Sequence, residues 1–374
     1  MTKPPLRILH VYKDYYPVLG GMENHIRTLA EAQAARGNAV TVLVTSRMPH
    51  TTVEALNNVR LVRTARWATV ASTPISPATF WWTTRIRADI AHLHLPYPPG
   101  DVANVLLGRA QRTVMTYHSD IVRQKNLLRL YAPFLRYSLK RADRIIATSP
   151  RYVETSAILN HYANKCTIVP YGIDLARFQT ADSTLVSQIR EQHGRPLALF
   201  VGQLRYYKGV EYLVRAMARV PGKALVIGSE STTHKAELER IAHEAGVAER
   251  IVFLGEKDAE LPAFYHACDV FVLPSVERSE AFGIVQIEAM AAGRPVVSTE
   301  LGTGTSWVNQ HNVTGLVVPP REPEALAHAI NVILADPARC AEMGRAARQR
   351  AEAEFSQETM VARVEQVYRN VLNA

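Results

Sequence analysis

The sequence predicts an α/β protein made of two successive halves, each a parallel sheet covered by helices on both faces. Three observations carry that prediction. Short β-branched runs alternate with turns and amphipathic helical stretches over most of the chain, the pattern of parallel sheets whose crossovers are helical. The alternation breaks once, at Val169-Pro170-Tyr171-Gly172-Ile173-Asp174 and the polar stretch through Thr180, Asp182 and Ser183, and then restarts. The 374 residues are too many for one ordinary core and suit two domains.

The elements follow in order. Ile8-Leu9-His10-Val11-Tyr12 reads as the first strand, and a helix follows from about Met22, with Ile26, Leu29, Ala30 and Ala34 on one face and Gly37 as its stop. Val40 to Val44, Ile90 to His94, Val114 to Tyr117 and Ile145 to Thr148 are the next strands of the first half. In the second half the strand candidates are Leu197 to Val201, Ala224 to Ile227, Ile251 to Leu254, Val270 to Leu273 and Val296-Val297. No short-period repeat is present, which excludes a solenoid. Ligands of open α/β sheets sit beyond the carboxyl ends of strands, so a cleft between the halves is the expected site.

Composition narrows the setting. Apolar residues make up 47% and charged residues 21%, the balance of a globular chain. No apolar run reaches the roughly 18 residues of a membrane span. Met1 to Arg7 passes straight into a strand-like segment without a secretory apolar region, and Cys166, Cys268 and Cys340 show neither pairing nor metal spacing. A cytoplasmic protein is expected. The net charge of +9 implies an anionic partner: nucleic acid, a membrane surface or a phosphate-bearing substrate. Without zinc-finger spacing, an RNP-like aromatic run or a basic tail, nucleic acid is not the expected one.

The most informative stretch runs from Glu277 to Gly293. Glu280 falls in the loop after the Val270–Leu273 strand, and Glu288 falls inside the following helix, with seven residues between them. The first amides of that helix, from Phe282 and Gly283 to Ile284 and Val285, lack intrahelical partners and carry the positive end of the helix dipole. Such an end holds phosphate and sugar oxygens, and a carboxylate on each side accepts hydrogen bonds from paired hydroxyls. Taken alone, the two acids read rather as a helix cap and a solvated helix residue. Arg205 and Lys208 emerge at the carboxyl end of the second half's first strand, where a diphosphate is the natural partner for two cations. In the first half, Gly20 and Gly21 occupy the first strand-to-helix connection and let backbone amides approach a ligand, although a plain loop fits them too. They are not part of a G-x-G-x-x-G fingerprint, which argues against a Rossmann dehydrogenase. His118 ends another strand, placed either to donate to a sugar hydroxyl or polarise a reacting centre, or to serve as a satisfied structural histidine.

In combination these motifs resemble the retaining glycosyltransferases of family 4, whose GT-B fold sets two Rossmann-like domains face to face. The resemblance covers nearly the whole chain. Its specific part is Glu280 to Gly293, which matches the family's paired glutamates, supported by Val169 to Asp174 and Lys208-Gly209. It implies that Glu280 contacts the transferred sugar and Glu288 the ribose diol. It further implies that the Ile284 and Val285 amides meet the diphosphate, that Gly21 faces the phosphate and that His118 faces the sugar. One departure is visible: Gln203 stands where the family commonly has arginine, and Arg205, two residues on and pointing the same way in an extended chain, is placed to replace that charge. The expected division is an N-terminal Rossmann-like acceptor domain over 1–175, a nucleotide-sugar domain over 176–355, and a C-terminal helix over 356–374 that returns to the first domain, burying Val364 and Leu372.

The activity so implied is transfer of a hexose from a nucleoside-diphosphate sugar to a hydroxyl of a glycan or lipid-linked acceptor. The chain has no D-x-D pair, so neither a metal nor any cofactor beyond the nucleotide-sugar substrate is expected. Retention of configuration follows from the resemblance, with front-face attack by the acceptor. Tyr117 to Asp120 and Gly302 to Asn309 look similar to enzymes that add mannose or rhamnose to bacterial surface polysaccharides, which makes GDP-mannose the first donor expected and UDP-glucose the second. A nucleotide-sugar epimerase, or a non-enzymatic binder of nucleotide sugar or nucleic acid, remains as an alternative; the full glutamate-pair motif opposes the epimerase. Between 121 and 144, Arg123, Lys125, Arg129, Arg136, Lys140, Arg141 and Arg144 face one acid, Asp143. Lys125, Arg129, Arg136 and Lys140 share a helix face suited to anionic lipid headgroups, or to plain solvent, with Leu127, Leu130, Tyr131 and Phe134 opposite; Pro133 is expected to split the stretch into two helices. The helix carrying Trp81 and Trp82 is expected to pack its aromatics on the sheet.

Overall fold

The computed structural model describes residues 4–18, 20–120, 125–229 and 232–374, without the side chains of 125–128, 130, 232 and 233. It divides into two compact units, Met1–Gly172 with Gln357–Ala374, and Ile173–Ser356.

The first unit contains strands β1 (Arg7–Val11), β2 (Ala39–Thr45), β3 (Thr52–Leu56), β4 (Val59–Thr64), β5 (Ala68–Val70), β6 (Thr73–Ile75), β7 (Arg87–Leu95), β8 (Arg109–Tyr117), β9 (Arg144–Ala147) and β10 (Cys166–Ile168). Its main sheet runs β10-β9-β8-β7-β1-β2-β4-β3, while β5 and β6 form a separate hairpin. Helices α1 (Gly21–Ala35), α2 (Pro77–Arg85), α3 (Pro98–Leu107), α4 (Lys125–Arg141) and α5 (Pro150–Thr155) join these strands. The second unit contains β11 (Leu197–Val201), β12 (Lys223–Ile227), β13 (Ile251–Phe253), β14 (Val270–Leu273), β15 (Val296–Thr299) and β16 (Gly315–Val318). They form one parallel sheet in the order β13-β12-β11-β14-β15-β16. Its helices are α6 (Ala176–Gln179), α7 (Ser183–His193), α8 (Val210–Ala216), α9 (Thr232–Glu244), α10 (Leu261–Ala267), α11 (Ile284–Ala291), α12 (Thr305–Val308), α13 (Pro323–Ala335) and α14 (Pro337–Glu354). Both units therefore have the α/β architecture that the sequence predicts.

Local chemistry explains the elements. Helix α1 buries Ile26, Leu29, Ala30 and Ala34 at helical spacing. It stops where Gly37 takes φ +88° and the amides of Gly37 and Asn38 return to the carbonyls of Ala34 and Gln33. The strand β11, Leu197 to Val201, is buried along its whole length, as a central parallel strand must be.

Three details depart from the sequence expectations. The first sheet is not wholly parallel, because β3 pairs antiparallel with β4 at its edge. Asn57 and Asn58 join them with φ of 49° and 63°, the paired left-handed residues of a tight hairpin turn. Pro133 lies inside a single helix α4 rather than between two. Loss of one backbone bond at Pro133 is offset by burial of Leu135, Ser138 and Leu139 on the same helix. Arg129, Arg136 and Lys140 on α4 are exposed, whereas Arg123 and the side chains of Lys125, Leu127 and Leu130 lie outside the described residues. Helix α2 buries Thr79 and Thr83 instead of its aromatics, since Thr79 bonds Thr64 at 2.9 Å while Trp81 is exposed and stacks with Arg85.

Helix α15 (Gln357–Leu372) belongs to the first unit. Its buried positions Met360, Val361, Val364, Val367, Tyr368 and Val371 keep the three-four spacing of one face, which leaves Leu372 only half buried. Arg112 Nε donates to the Val371 carbonyl at 2.8 Å, and Asn38 Nδ2 donates to Glu365 at 3.2 Å.

Candidate functional site

A parallel sheet leaves a crevice beyond the carboxyl ends of two adjacent strands whose connections run in opposite directions. In the second unit those strands are β11 and β14. The chain leaves β11 through Gly202, Gln203 and Leu204 into a 3₁₀ turn at Tyr206–Lys208, and it leaves β14 through a loop that enters α11. The two loops touch backbone to backbone. Gly209, at φ +66°, closes the turn, and a Cβ there would lie 2.1 Å from the Pro274 carbonyl oxygen.

This contact brings Lys208 and Glu280 together. Lys208 Nζ lies 2.6 Å from Glu280 Oε2, and Ser275 Oγ donates to the same oxygen at 3.1 Å. Glu280 is buried and Lys208 is nearly so. Burial opposes the charge on Lys208, but the Glu280 carboxylate outweighs it and the ammonium ends above its ordinary pKa; Tyr207 adds to the effect and the nearby Arg205 opposes it. Arg205 and Gln203 are both exposed on either side of the buried Leu204, as alternation in an extended segment requires.

The loop between Gly302 and Thr305 holds Glu280 in place. Thr303 Oγ1 donates to the Glu280 carbonyl at 2.8 Å, the Gly304 amide donates to Ala281 at 2.8 Å, and Arg278 donates to the Gly302 carbonyl at 2.8 Å. Helix α11 then starts at Ile284 with Gly283 in the left-handed conformation, and no side chain caps it. Phe282 and Gly283 are buried while Ile284 and Val285 are half-exposed at that end. Glu288 follows one turn in. Burial pushes its pKa up, against the hydrogen bond it accepts from the Tyr265 hydroxyl at 2.7 Å and the positive charge of Arg177.

In the first unit the adjacent strands are β1 and β7. Gly20 is the extended residue before α1 and Gly21 its first, exposed residue, with no side-chain cap. A Cβ on Gly20 would fall 2.2 Å from the Glu23 carboxylate, so an acid of the helix's own first turn already stands at its positive end. His118 follows β8 and is 1% exposed. Its Nδ1 lies 2.5 Å from the Tyr171 hydroxyl and its Nε2 lies 2.9 Å from His94 Nδ1. Both ring nitrogens are therefore engaged, which is the arrangement of a satisfied buried histidine.

Sequence reasoning missed Ser275 and Tyr265, which bond the two glutamates, and it missed the histidines around His118. A signal for the latter existed: His92 and His94 are two apart in a strand and point the same way, and His10 pairs with His92 in register on β1. The ligand atoms of His10, His92 and His94, and those of His25, His94 and His118, lie within 4.8 Å of one another, near enough to suggest metal triads. Yet His10–His94 and His94–His118 stand at 3.0 and 2.9 Å, so each contact consumes a lone pair that a metal would need. The residues form a hydrogen-bond chain more readily than a ligand cage.

The chain is similar to known proteins over both units. Residues 183–350 match the family described as glycosyl transferases group 1, and residues 19–177 match glycosyltransferase family 4. The chain is 36% identical, over 99% of its length and 100% of the relative's, to the O-antigen chain mannosyltransferase C of Escherichia coli. It is 37% identical to the D-rhamnosyltransferase WbpZ of Pseudomonas aeruginosa, over 92% of this chain and 91% of that one. Among solved structures, the sucrose-phosphate synthase of Thermosynechococcus elongatus superposes with a TM-score of 0.80 at 27% identity, covering 98% of this chain and 99% of that one.

The raised pKa of Glu288 has a measurable consequence. A carboxyl that holds its proton more tightly when folded costs stability once ionised; the cost is absent below the ordinary value of about 4.3 and complete above the raised one. Glu288→Gln keeps an acceptor for Tyr265. It is expected to raise the thermal midpoint at about pH 7, with the gain shrinking as the pH approaches 4. A midpoint lowered at neutral pH would contradict this account.

Proposed function

The chain belongs to the group 1 and family 4 glycosyltransferases and is a hexosyltransferase of GT-B fold, and from that premise we propose that it transfers mannose from GDP-mannose, with retention of configuration, to a hydroxyl of a glycan or lipid-linked glycan. The relatives named for mannose and D-rhamnose transfer support this donor over UDP-glucose. The observation that carries the mechanism is the buried Lys208–Glu280 pair beside the uncapped start of α11, beyond the ends of β11 and β14.

When the glycosidic bond breaks, negative charge grows on the departing diphosphate. Lys208, fixed by Glu280, with Arg205 and the amides of Ile284 and Val285 behind it, meets that charge with groups that need not reorganise. Such compensation requires no divalent metal and no further cofactor. Glu280, held by Lys208 and Ser275, accepts from hydroxyls of the transferred sugar, and Glu288, held by Tyr265, accepts from the ribose diol. The family resemblance adds the Gly20 and Gly21 amides as phosphate contacts and His118 as a contact of the sugar. The acceptor hydroxyl attacks from the side the leaving group departs, which preserves the anomeric configuration. The exposed Arg129, Arg136 and Lys140 of α4 support peripheral contact with an anionic membrane; no helix among the described residues is long and apolar enough to cross one.

Four measurements test this reading. GDP is expected to raise the melting temperature more than UDP, since a ligand at a hundredfold excess over its Kd adds about 2.7 kcal/mol of stability; a larger shift with UDP would reassign the donor. With GDP-mannose and a surface-glycan acceptor, the product should keep the donor's α configuration in its anomeric proton signal. Lys208→Ala, checked for folding, should lower kcat by about 10²-fold or more, and near-normal turnover removes Lys208 from the mechanism. Binding to anionic vesicles should exceed binding to neutral ones in co-sedimentation, and equal binding removes the membrane contact.

A further inference from the structure

We propose that Gln33, three hydrogen bonds away from His118, fixes which nitrogen of that ring carries the proton, and is thereby a positioning residue for it. The path is continuous and buried throughout. Gln33 Oε1 lies 2.8 Å from His10 Nε2, His10 Nδ1 lies 3.0 Å from His94 Nε2, and His94 Nδ1 lies 2.9 Å from His118 Nε2. His118 Nδ1 then meets the Tyr171 hydroxyl at 2.5 Å. Gln33, His10 and His94 are each 0% exposed.

A neutral imidazole has one N–H and one lone pair. Burial holds His10 down to about 4 and keeps His94 and His118 well below the ordinary histidine value, so all three rings are neutral at pH 7. In a row of neutral rings only two proton arrangements satisfy every contact, and one is the reverse of the other. The choice falls to the ends. Tyr171 offers a hydroxyl, which can donate or accept, so that end accommodates either arrangement. Gln33 offers an amide oxygen, which only accepts. His10 must therefore carry its proton on Nε2, and so in turn must His94 and His118, leaving His118 Nδ1 to accept from Tyr171.

The same amide governs a second branch. Gln33 Nε2 donates to the Tyr368 hydroxyl at 3.4 Å, Tyr368 lies 2.5 Å from His92 Nδ1, and His92 Nε2 lies 2.6 Å from Thr116 Oγ1. Turning the Gln33 amide over would reverse every bond in both branches at once. The structure sets the amide oxygen toward His10 and the NH2 toward Tyr368, which selects the arrangement with Nε2–H on each ring of the first branch.

The consequence for function rests on the reading above that His118 faces the sugar. Once a sugar hydroxyl takes the place of the Tyr171 hydroxyl, it meets a lone pair on Nδ1 and must donate to it. His118 then recognises a hydroxyl as an acceptor and never as an N–H donor, and Gln33 makes that so from a distance.

Long-range proton–nitrogen NMR of the full-length protein labelled at histidine nitrogen reads the tautomer directly, with the His118→Gln variant assigning the signal. His118 should show a protonated Nε2 and a bare Nδ1. Gln33→Met, which fills the space without an acceptor, should cut the Nε2–H population at least twofold in favour of Nδ1–H. Tyr171→Phe removes the indifferent end and should leave the tautomer as it was. A wild-type ring protonated on Nδ1, an unchanged tautomer in Gln33→Met, or a switched one in Tyr171→Phe would each overturn the assignment. Kinetics separate the two layers: a switched tautomer with lowered kcat and unchanged KM for the donor supports both, whereas a switched tautomer with unchanged kcat keeps the relay and discards His118 from the reaction.

Discussion

A carboxylate buried beside a parallel sheet needs a partner of opposite charge, and in the second unit Lys208 meets Glu280 across 2.6 Å. That requirement orders much around it. The two residues come from loops after different strands, so the pairing needs β11 and β14 to be neighbours although two strands and their helices separate them in sequence. It needs the loops to touch, which Gly209 allows by carrying no Cβ against Pro274. It also needs the acid to be held from behind, which Ser275 and the Gly302–Thr305 loop accomplish. Glycine, cation and acid are thus one arrangement seen from three positions in the chain.

The first unit handles polarity in the opposite way. Among its buried polar groups are five histidines, His10, His25, His92, His94 and His118, with Tyr171 and Tyr368 closing the ends of the two hydrogen-bonded branches. Burial strips all five rings of charge, and four of them, His10, His92, His94 and His118, are satisfied by hydrogen-bond direction rather than by opposite charge. The packing of α15 on this unit is part of the same device, since Tyr368 reaches both Gln33 and His92. The C-terminal helix is held there by polar bonds as well as by its apolar face.

How much of this was legible in the sequence depended on the range of the interaction. The strands β1, β2, β7, β8, β9 and β11 to β15 announce themselves because β-branched runs fully buried between helices leave a local signature. The edge strand β3 does not: Thr52-Val53-Glu54-Ala55-Leu56 is largely exposed, and only the Asn57-Asn58 turn marks it. Helix α4 was mis-divided because Pro133 was weighed by its local cost, while the burial of Leu135 and Leu139 that offsets it is a tertiary fact. At the site, Lys208, Glu280 and Glu288 stood out through the spacing of one helix and one strand end. Their partners Ser275 and Tyr265 did not, because nothing in a serine or tyrosine codon by codon says which acid it will meet. His118 was visible but its setting was not, since the relay joins four distant segments and takes its direction from a residue on α1.

The contrast between the units fits what a nucleotide-sugar transferase must recognise. A diphosphate is anionic before and more so during reaction, and fixed cations with free helix amides are worth most where charge develops. A sugar hydroxyl is neutral and carries both a proton and lone pairs, so charge discriminates it poorly and hydrogen-bond direction discriminates it well. In the proposed mechanism Lys208 with α11 supplies the first kind of recognition. The ring that Gln33 is proposed to pin supplies the second, because an unpinned imidazole would accept either polarity of partner and select between none. Direction of this kind survives only where water cannot supply a substitute donor, and the relay is buried from Gln33 to Tyr171 while Arg205, proposed to act through charge alone, stands exposed.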